Sequence, residues 1–235
     1  MPFSFNNLYF ENMNLYPVTV VDNFYQNPDE IRAFALKQKF TYRHELEGIN
    51  YVFPGSRTKD LFEISPDLYK SLCNKLISLF HVPDHDIMRW AITTSFQLVE
   101  AKYGSGIIHQ DQNTIFAGVI YLTPEAPLNS GTSLFQKNKQ FDEQRFEEGL
   151  RLNDERFINN QLIDFSYHDM FDEIVRVNNV YNTMIVFEGD IPHCANEFFG
   201  DSPQNSRLTQ VFFVSKIEAN KQTSFPISRI NMSTI

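Results

Sequence analysis

The apolar and polar positions of this chain change period once. In the first third the spacing is helical. Asn27-Pro28-Asp29-Glu30 reads as a helix start, with Asn27 as the cap, Pro28 at the first helical position and two acids at the positive end of the dipole. Ile31, Phe34 and Ala35 then share one face. Ser65-Pro66-Asp67 opens a second helix by the same chemistry, with Leu68, Leu72, Leu76, Ile77 and Phe80 as its buried stripe and Cys73 beside it. A short strand is predicted over 16–24, and a loop around a Pro-Gly turn over 51–58. From Met88 the period falls to two. Strands are predicted over 90–99, 107–111, 115–123, 131–136, 177–181, 183–188, 193–199 and 208–214. Residues 137–175 interrupt this series with helical patterns over 142–152 and 162–175. Eight short strands separated by turn signals predict a mostly β fold with flanking helices, a two-sheet jelly roll. The expected organisation is one domain: an N-terminal α/β support (1–87), a jelly-roll core (88–217) with a helical insertion (137–175), and a tail (218–235).

Composition narrows the function classes. A chain of 235 residues with 42% hydrophobic and 21% charged positions is an ordinary folded protein, not a disordered one. The longest apolar run, 115–122, is far below the roughly 20 residues of a membrane-spanning helix, so no membrane role is expected. The first residues lack the basic start and apolar core of a signal peptide. Cys73 and Cys194 cannot build a disulfide framework, which points to a reducing cytoplasm. A formal charge of −9 repels phosphate backbones and makes nucleic acid a poor partner. The 23 phenylalanines suit strands and a large core.

One constellation carries chemistry. His109 and Asp111 are two apart in a predicted strand, so their side chains share a face. His193 follows a Gly189-Asp190-Ile191-Pro192 turn further along. Two histidines and a carboxylate form the facial triad of non-haem Fe(II) sites. No Cys-x-x-Cys pair suggests zinc instead. Spacing alone leaves open ordinary hydrogen-bonded histidines of a β-sheet. Arg207 opens the last strand fourteen residues after His193, and Tyr121 ends the strand that follows the His-Asp pair. An arginine fork is a natural partner for a carboxylate, with a tyrosine hydroxyl in support.

These residues carry a resemblance. Tyr103-Gly104-Ser105-Gly106-Ile107-Ile108-His109-Gln110-Asp111, Phe116-Ala117-Gly118-Val119-Ile120-Tyr121-Leu122 and Gly131-Thr132-Ser133-Leu134-Phe135 resemble the Fe(II)/2-oxoglutarate-dependent oxygenases, in the style of the prolyl-hydroxylase-like branch. Val186-Phe187-Glu188-Gly189-Asp190-Ile191-Pro192-His193 and Arg207-Leu208-Thr209-Gln210-Val211-Phe212-Phe213 resemble that family's closing strands. The lead-in (Val21-Asp22-Asn23-Phe24-Tyr25, Asn27-Pro28, Arg32-Ala33-Phe34-Ala35) and Phe53-Pro54-Gly55-Ser56-Arg57-Thr58 are similar to an uncharacterised branch. The resemblance implies a double-stranded β-helix in which His109, Asp111 and His193 hold Fe(II). It implies that Arg207 pairs with the distal carboxylate of 2-oxoglutarate and that Tyr121 supports it. The implied reaction uses O2, converts 2-oxoglutarate to succinate and hydroxylates a substrate, either a protein side chain such as prolyl or an amino acid. Residues 200–206 fill a longer gap before Arg207 than is common in that branch, so Arg207 points inward only if they form a surface turn.

Two other functions compete: an oxygenase of another small molecule, and a non-enzymatic jelly-roll binding module. The remaining candidates read as bland. His44 and His168 are expected at the solvated surface. His81 and His85 are expected in a loop broken by Pro83. Cys194 alternates away from His193 into packing, Trp90 anchors core, and the acids at 142, 143, 147 and 148 form a solvated helix face. The insertion is expected to border the site mouth as lid or partner surface.

Overall fold

The computed structural model describes residues 18–46, 53–80, 88–159, 161 and 163–219. Its elements run β1 (Val18–Val21), α1 (Pro28–Leu36), β2 (Thr41–Tyr42), β3 (Ser56–Arg57), α2 (Leu61–Ile64), α3 (Pro66–Phe80), β4 (Met88–Val99), β5 (Phe116–Tyr121), β6 (Thr132–Lys137), α4 (Glu143–Ile158), β7 (Phe171–Val177), β8 (Met184–Glu188), β9 (His193–Ala195) and β10 (Arg207–Ala219). Seven strands form a large antiparallel sheet in the order β1-β8-β5-β10-β4-β3-β2. Three form a small one, β7-β6-β9.

Period-two alternation sorts the large sheet into two faces. Even-numbered residues, including Ile92, Phe96, Phe116, Ile120, Met184, Val186, Leu208 and Phe212, pack in one cluster with Ala35 of α1 and Leu72 and Leu76 of α3. Each such buried side chain contributes roughly 1.5–3 kcal/mol, which docks α3 far more firmly than helix propensity does. Odd-numbered residues, including Ala117, Tyr121, Ile185 and Phe187, pack with Leu134 of β6 and with Ile174, Val175 and Val177 of β7. The two sheets therefore face each other, and the fold is the expected double-stranded β-helix with helices outside. A third cluster lies beneath α4: Phe146, Phe157, Tyr167, Met170, Ile107, Ile108 and Cys194. Cys194 thus faces away from His193, as its alternation requires. Trp90 packs against Phe116 with rings 6.4 Å apart, a core anchor as expected.

Several elements differ from the pattern reading. The expected helix over 162–175 does not form. Residues Ser166–Met170 make a 3-10 turn, and Phe171–Val177 is β7, paired with β6. The β-branched Ile174, Val175 and Val177 find an open strand edge there, and pairing overrides the helical spacing. The insertion between strands therefore ends at 170. The expected strand 107–111 reduces to a single bridge between His109 and His193. The expected strand 193–199 stops at Ala195, and 177–181 is turn beyond Val177. Asn27 makes no side-chain cap for α1, whose start rests on Pro28. His81 and His85 lie outside the described residues. The acids of α4 are solvated: Glu147 and Glu148 are exposed, and Asp142 caps the helix by accepting from Arg145 N at 2.7 Å. No helix among the described residues is long and apolar enough to cross a membrane.

Candidate metal centre

The segment before His109 is fixed to the strand carrying His193. Gly106 N donates to Ala195 O (2.8 Å), His109 N to His193 O (3.1 Å), His193 N to His109 O (2.9 Å) and Asp111 N to Gly189 O (2.7 Å). Gly106 is needed for this approach, since a Cβ there would lie 2.8 Å from Ala195 N. The result brings together three residues distant in sequence. His109 Nε2 lies 3.7 Å from Asp111 Oδ1, and His193 Nε2 lies 3.4 Å from Asp111 Oδ2. All three ligand atoms fall within 4.8 Å of one another.

The tautomers follow from the backbone. His109 Nδ1 sits 2.9 Å from Ile107 O, and His193 Nδ1 sits 2.8 Å from Ile191 O. A carbonyl only accepts, so each Nδ1 carries a proton and each Nε2 is the ring nitrogen that faces the centre. Burial, with His193 beside it, lowers the His109 pKa to about 4, so it is neutral at pH 7. Burial opposes the Asp111 carboxylate, yet the charge and hydrogen bond of His193, with His109 and Arg57, hold its pKa at about 2. Two imidazole Nε2 atoms and a carboxylate that face one another within 4.8 Å are a donor set that suits a cation and fits the facial triad. His193 is only 6% exposed, while the His109 side chain keeps 39% of its surface open. The centre therefore opens to solvent on the His109 side, and the Phe187 ring, 4.5 Å from the His193 ring, closes the other.

A second group lies in the same interior. Thr132 and Leu134 are two apart on β6, and Leu134 pairs with His193. Tyr121 donates its hydroxyl to Thr132 Oγ1 at 2.9 Å. The Tyr121 ring is 5.6 Å from the Arg207 guanidinium carbon, with Phe198 at 5.9 Å. Residues 200–206 do form a turn, with Gly200 at φ +77°, and Arg207 is turned inward and 4% exposed. It donates from Nε to Ser130 O (3.2 Å) and to the Tyr121 hydroxyl, and among the described residues no carboxylate pairs with it. Burial lowers its pKa in consequence. Thr209, two residues on and paired opposite Tyr121, is fully buried, and its Oγ1 has no hydrogen-bond partner. A buried guanidinium and a buried orphan hydroxyl side by side are costly unless an anion completes them.

Thr209 was missed by sequence reasoning, although the two-residue step from Arg207 was there to find it. Arg57 was seen only as part of a motif. Its guanidinium lies 4.4 Å from the Phe53 ring and 5.7 Å from the Phe213 ring, and it donates to Gln97 Oε1 at 3.2 Å. His44 is exposed, as expected. His168 is not a surface residue. It is partly buried, accepts from Ile108 N at 3.0 Å, and burial lowers its pKa to about 4.

These shifts predict a pH dependence. Unfolding raises His109 and His168 from about 4 to the ordinary 6.5, so both take up protons between those values. Asp154, pushed up to about 6 by burial, falls to 3.8 on unfolding and offsets one of them. Where the unfolded chain binds more protons, stability rises with pH. The melting temperature of the metal-free protein is therefore expected to fall as pH drops from 6.5 to 4, with a shallower fall for His168→Gln. A flat profile in thermal unfolding would contradict the assigned burial.

Residues 9–214 match the family described as a family of unknown function (DUF6445). The chain belongs to this family. No curated protein matches the sequence of this DUF6445 chain. Solved structures match its fold at low identity. A prolyl hydroxylase from Trichoplax adhaerens, in complex with a hypoxia inducible factor oxygen degradation domain peptide, aligns with a TM-score of 0.50 at 11% identity, over 84% of this chain and 82% of that one. HygX from Streptomyces hygroscopicus with nickel and 2-oxoglutarate bound aligns at 0.51 and 12%, over 85% and 82%. The non-heme alpha ketoglutarate dependent carbocyclase SnoK from nogalamycin biosynthesis aligns at 0.52 and 12%, over 85% and 79%. The DUF6445 fold is thus the one shared by prolyl hydroxylases and 2-oxoglutarate-dependent oxygenases, as the resemblance implied.

Proposed function

We propose that this chain is an Fe(II)- and 2-oxoglutarate-dependent dioxygenase that hydroxylates a protein side chain, such as prolyl, or an amino acid. One observation carries the reading: two imidazole nitrogens and a carboxylate oxygen lie within 4.8 Å of one another, in the same interior as a buried arginine with no acidic partner among the described residues. His109, Asp111 and His193 hold Fe(II). Arg207 holds the distal carboxylate of 2-oxoglutarate, with Tyr121 and the orphan Thr209 hydroxyl as further donors. The bound iron and cosubstrate supply O2 activation and the oxidising power released as 2-oxoglutarate becomes succinate. The chain's own part is geometric. Asp111 balances charge, the two Ile carbonyls lock the imidazole tautomers, and Phe187 keeps water from the His193 side. Residues 1–87 support a core over 88–217 within one domain.

Among proteins of this fold, one is a prolyl hydroxylase in complex with a peptide and another a carbocyclase, so the fold hosts both macromolecular and small-molecule chemistry. Oxidation of another small molecule is the second reading, favoured by the open His109 side of the centre. The test is succinate formation from 2-oxoglutarate with added Fe(II) and O2, alongside an anaerobic spectrum. The expected result is succinate above background and a weak visible charge-transfer band. A colourless protein that binds no iron would leave a jelly-roll binding module instead.

A further inference from the structure

The backbone next to His109 lacks the neighbour that a sheet would give it. His109 and His193 exchange both of their backbone bonds, so the N–H and C=O of Ile108 point the opposite way. Residues 107–111 pair with no strand on that side among the described residues. Ile108 is 2% exposed, and leaving its two backbone groups unpaired would cost on the order of 1–3 kcal/mol each. Two consecutive side chains take the place of the strand. Ile108 N donates to His168 Nε2 at 3.0 Å, and the Tyr167 hydroxyl donates to Ile108 O at 2.9 Å.

The insertion holds these two side chains in place. Buried Asn153 of α4 donates Nδ2–H to Asp164 O and accepts from Asp164 N, both at 2.8 Å. Asp164 Oδ1 then accepts from Ser166 N at 2.9 Å, which starts the 3-10 turn. The Tyr167 ring lies over Gly149, where a Cβ would meet it at 2.4 Å. The His168 ring is set edge-on between Phe165 and Tyr167, at 5.1 and 4.8 Å.

We infer that the insertion over 138–170 is a clamp, in which Tyr167 and His168 act as positioning residues that fix the Ile108 backbone and so place His109 in its triad. The inference rests on the metal reading of His109 given above. The test uses the full chain. Tyr167→Phe removes only the hydroxyl, His168→Leu removes the acceptor, and His168→Gln keeps one. Amide exchange at Ile108 is followed in the metal-free protein, and Co(II) binding is titrated by its visible d–d bands. The Tyr167→Phe/His168→Leu double variant is expected to exchange at Ile108 about tenfold faster and to bind Co(II) about 10–100-fold more weakly, with shifted bands. His168→Gln is expected to stay close to wild type. If the double variant fails to fold, Tyr167→Phe alone decides by the same two readouts. Wild-type exchange and Co(II) affinity in the variants would overturn the clamp. A wild-type chain that takes up no Co(II) would overturn the metal reading, and the exchange rates would still decide the clamp.

Discussion

Asp111→Ala is expected to weaken Fe(II) binding by at least about 100-fold and to bring succinate formation to background. Asp111 is the single anion of the triad, and its carboxylate faces both Nε2 atoms. With its pKa near 2 it meets no proton competition at neutral pH. Removing it leaves two imidazoles, a set with no negative charge to offset the ion's loss of hydration. The same substitution should keep the metal-free fold, with Asp111 N still bonded to Gly189 O, at a modest cost in melting temperature, because the folded chain favours the ionised Asp111 carboxylate. Far-UV circular dichroism and melting of the metal-free variant, set beside an anaerobic Fe(II) titration, separate the two effects. Wild-type iron affinity in Asp111→Ala would remove the carboxylate from the site and the facial triad with it.

The candidate site was legible in the sequence because its parts obey local rules. Two residues apart on an extended segment means one face, so His109 and Asp111 had to be neighbours wherever the chain went. The strand preceding His193 is a continuous apolar run buried on both faces, and alternation sends Cys194 away from His193, as found. The inward turn of Arg207 depended on residues 200–206 forming a turn, which they do. What failed was everything decided by distant pairing. Residues 162–175 carry a helical spacing, yet the open edge of β6 recruits 171–177 as a strand. Residues 107–111 carry a strand pattern, yet find only one bridge, because the next position in the sheet is filled by side chains of the insertion. His168 sits in a polar stretch, and no local rule marks it as an acceptor for a backbone amide sixty residues earlier. Thr209 lies between these extremes: the alternation that places Arg207 places it too, but only the absence of a partner for its buried hydroxyl gives it meaning.

Arg207→Met is expected to raise the 2-oxoglutarate concentration for half-saturation by about 10²–10³-fold and to leave Fe(II) affinity within about twofold. Truncating one side of a buried, hydrogen-bonded charge pair costs about 2–5 kcal/mol, which spans that range. Methionine keeps most of the volume, so the walls formed by Tyr121 and Phe198 need not collapse. Thr209→Val removes a neutral donor and should cost about tenfold. Arg207→Lys should fall between wild type and Arg207→Met, since an ammonium restores charge but not the two-pronged fork. Stability should move the other way. In the ligand-free chain Arg207 is a buried cation with a bond to Ser130 O, the Tyr121 hydroxyl beside it and no carboxylate partner among the described residues, so deleting it relieves a desolvation penalty. The ligand-free Arg207→Met variant should melt no lower than wild type, while the gain in melting temperature on adding 2-oxoglutarate with metal should shrink sharply. A structural arginine would show the reverse: a lower melting temperature and an unchanged ligand response. Opposite signs in two measurements on one variant thus separate an arginine held ready for an anion from one that merely packs, and a lower melting point with intact 2-oxoglutarate affinity would place the distal carboxylate elsewhere.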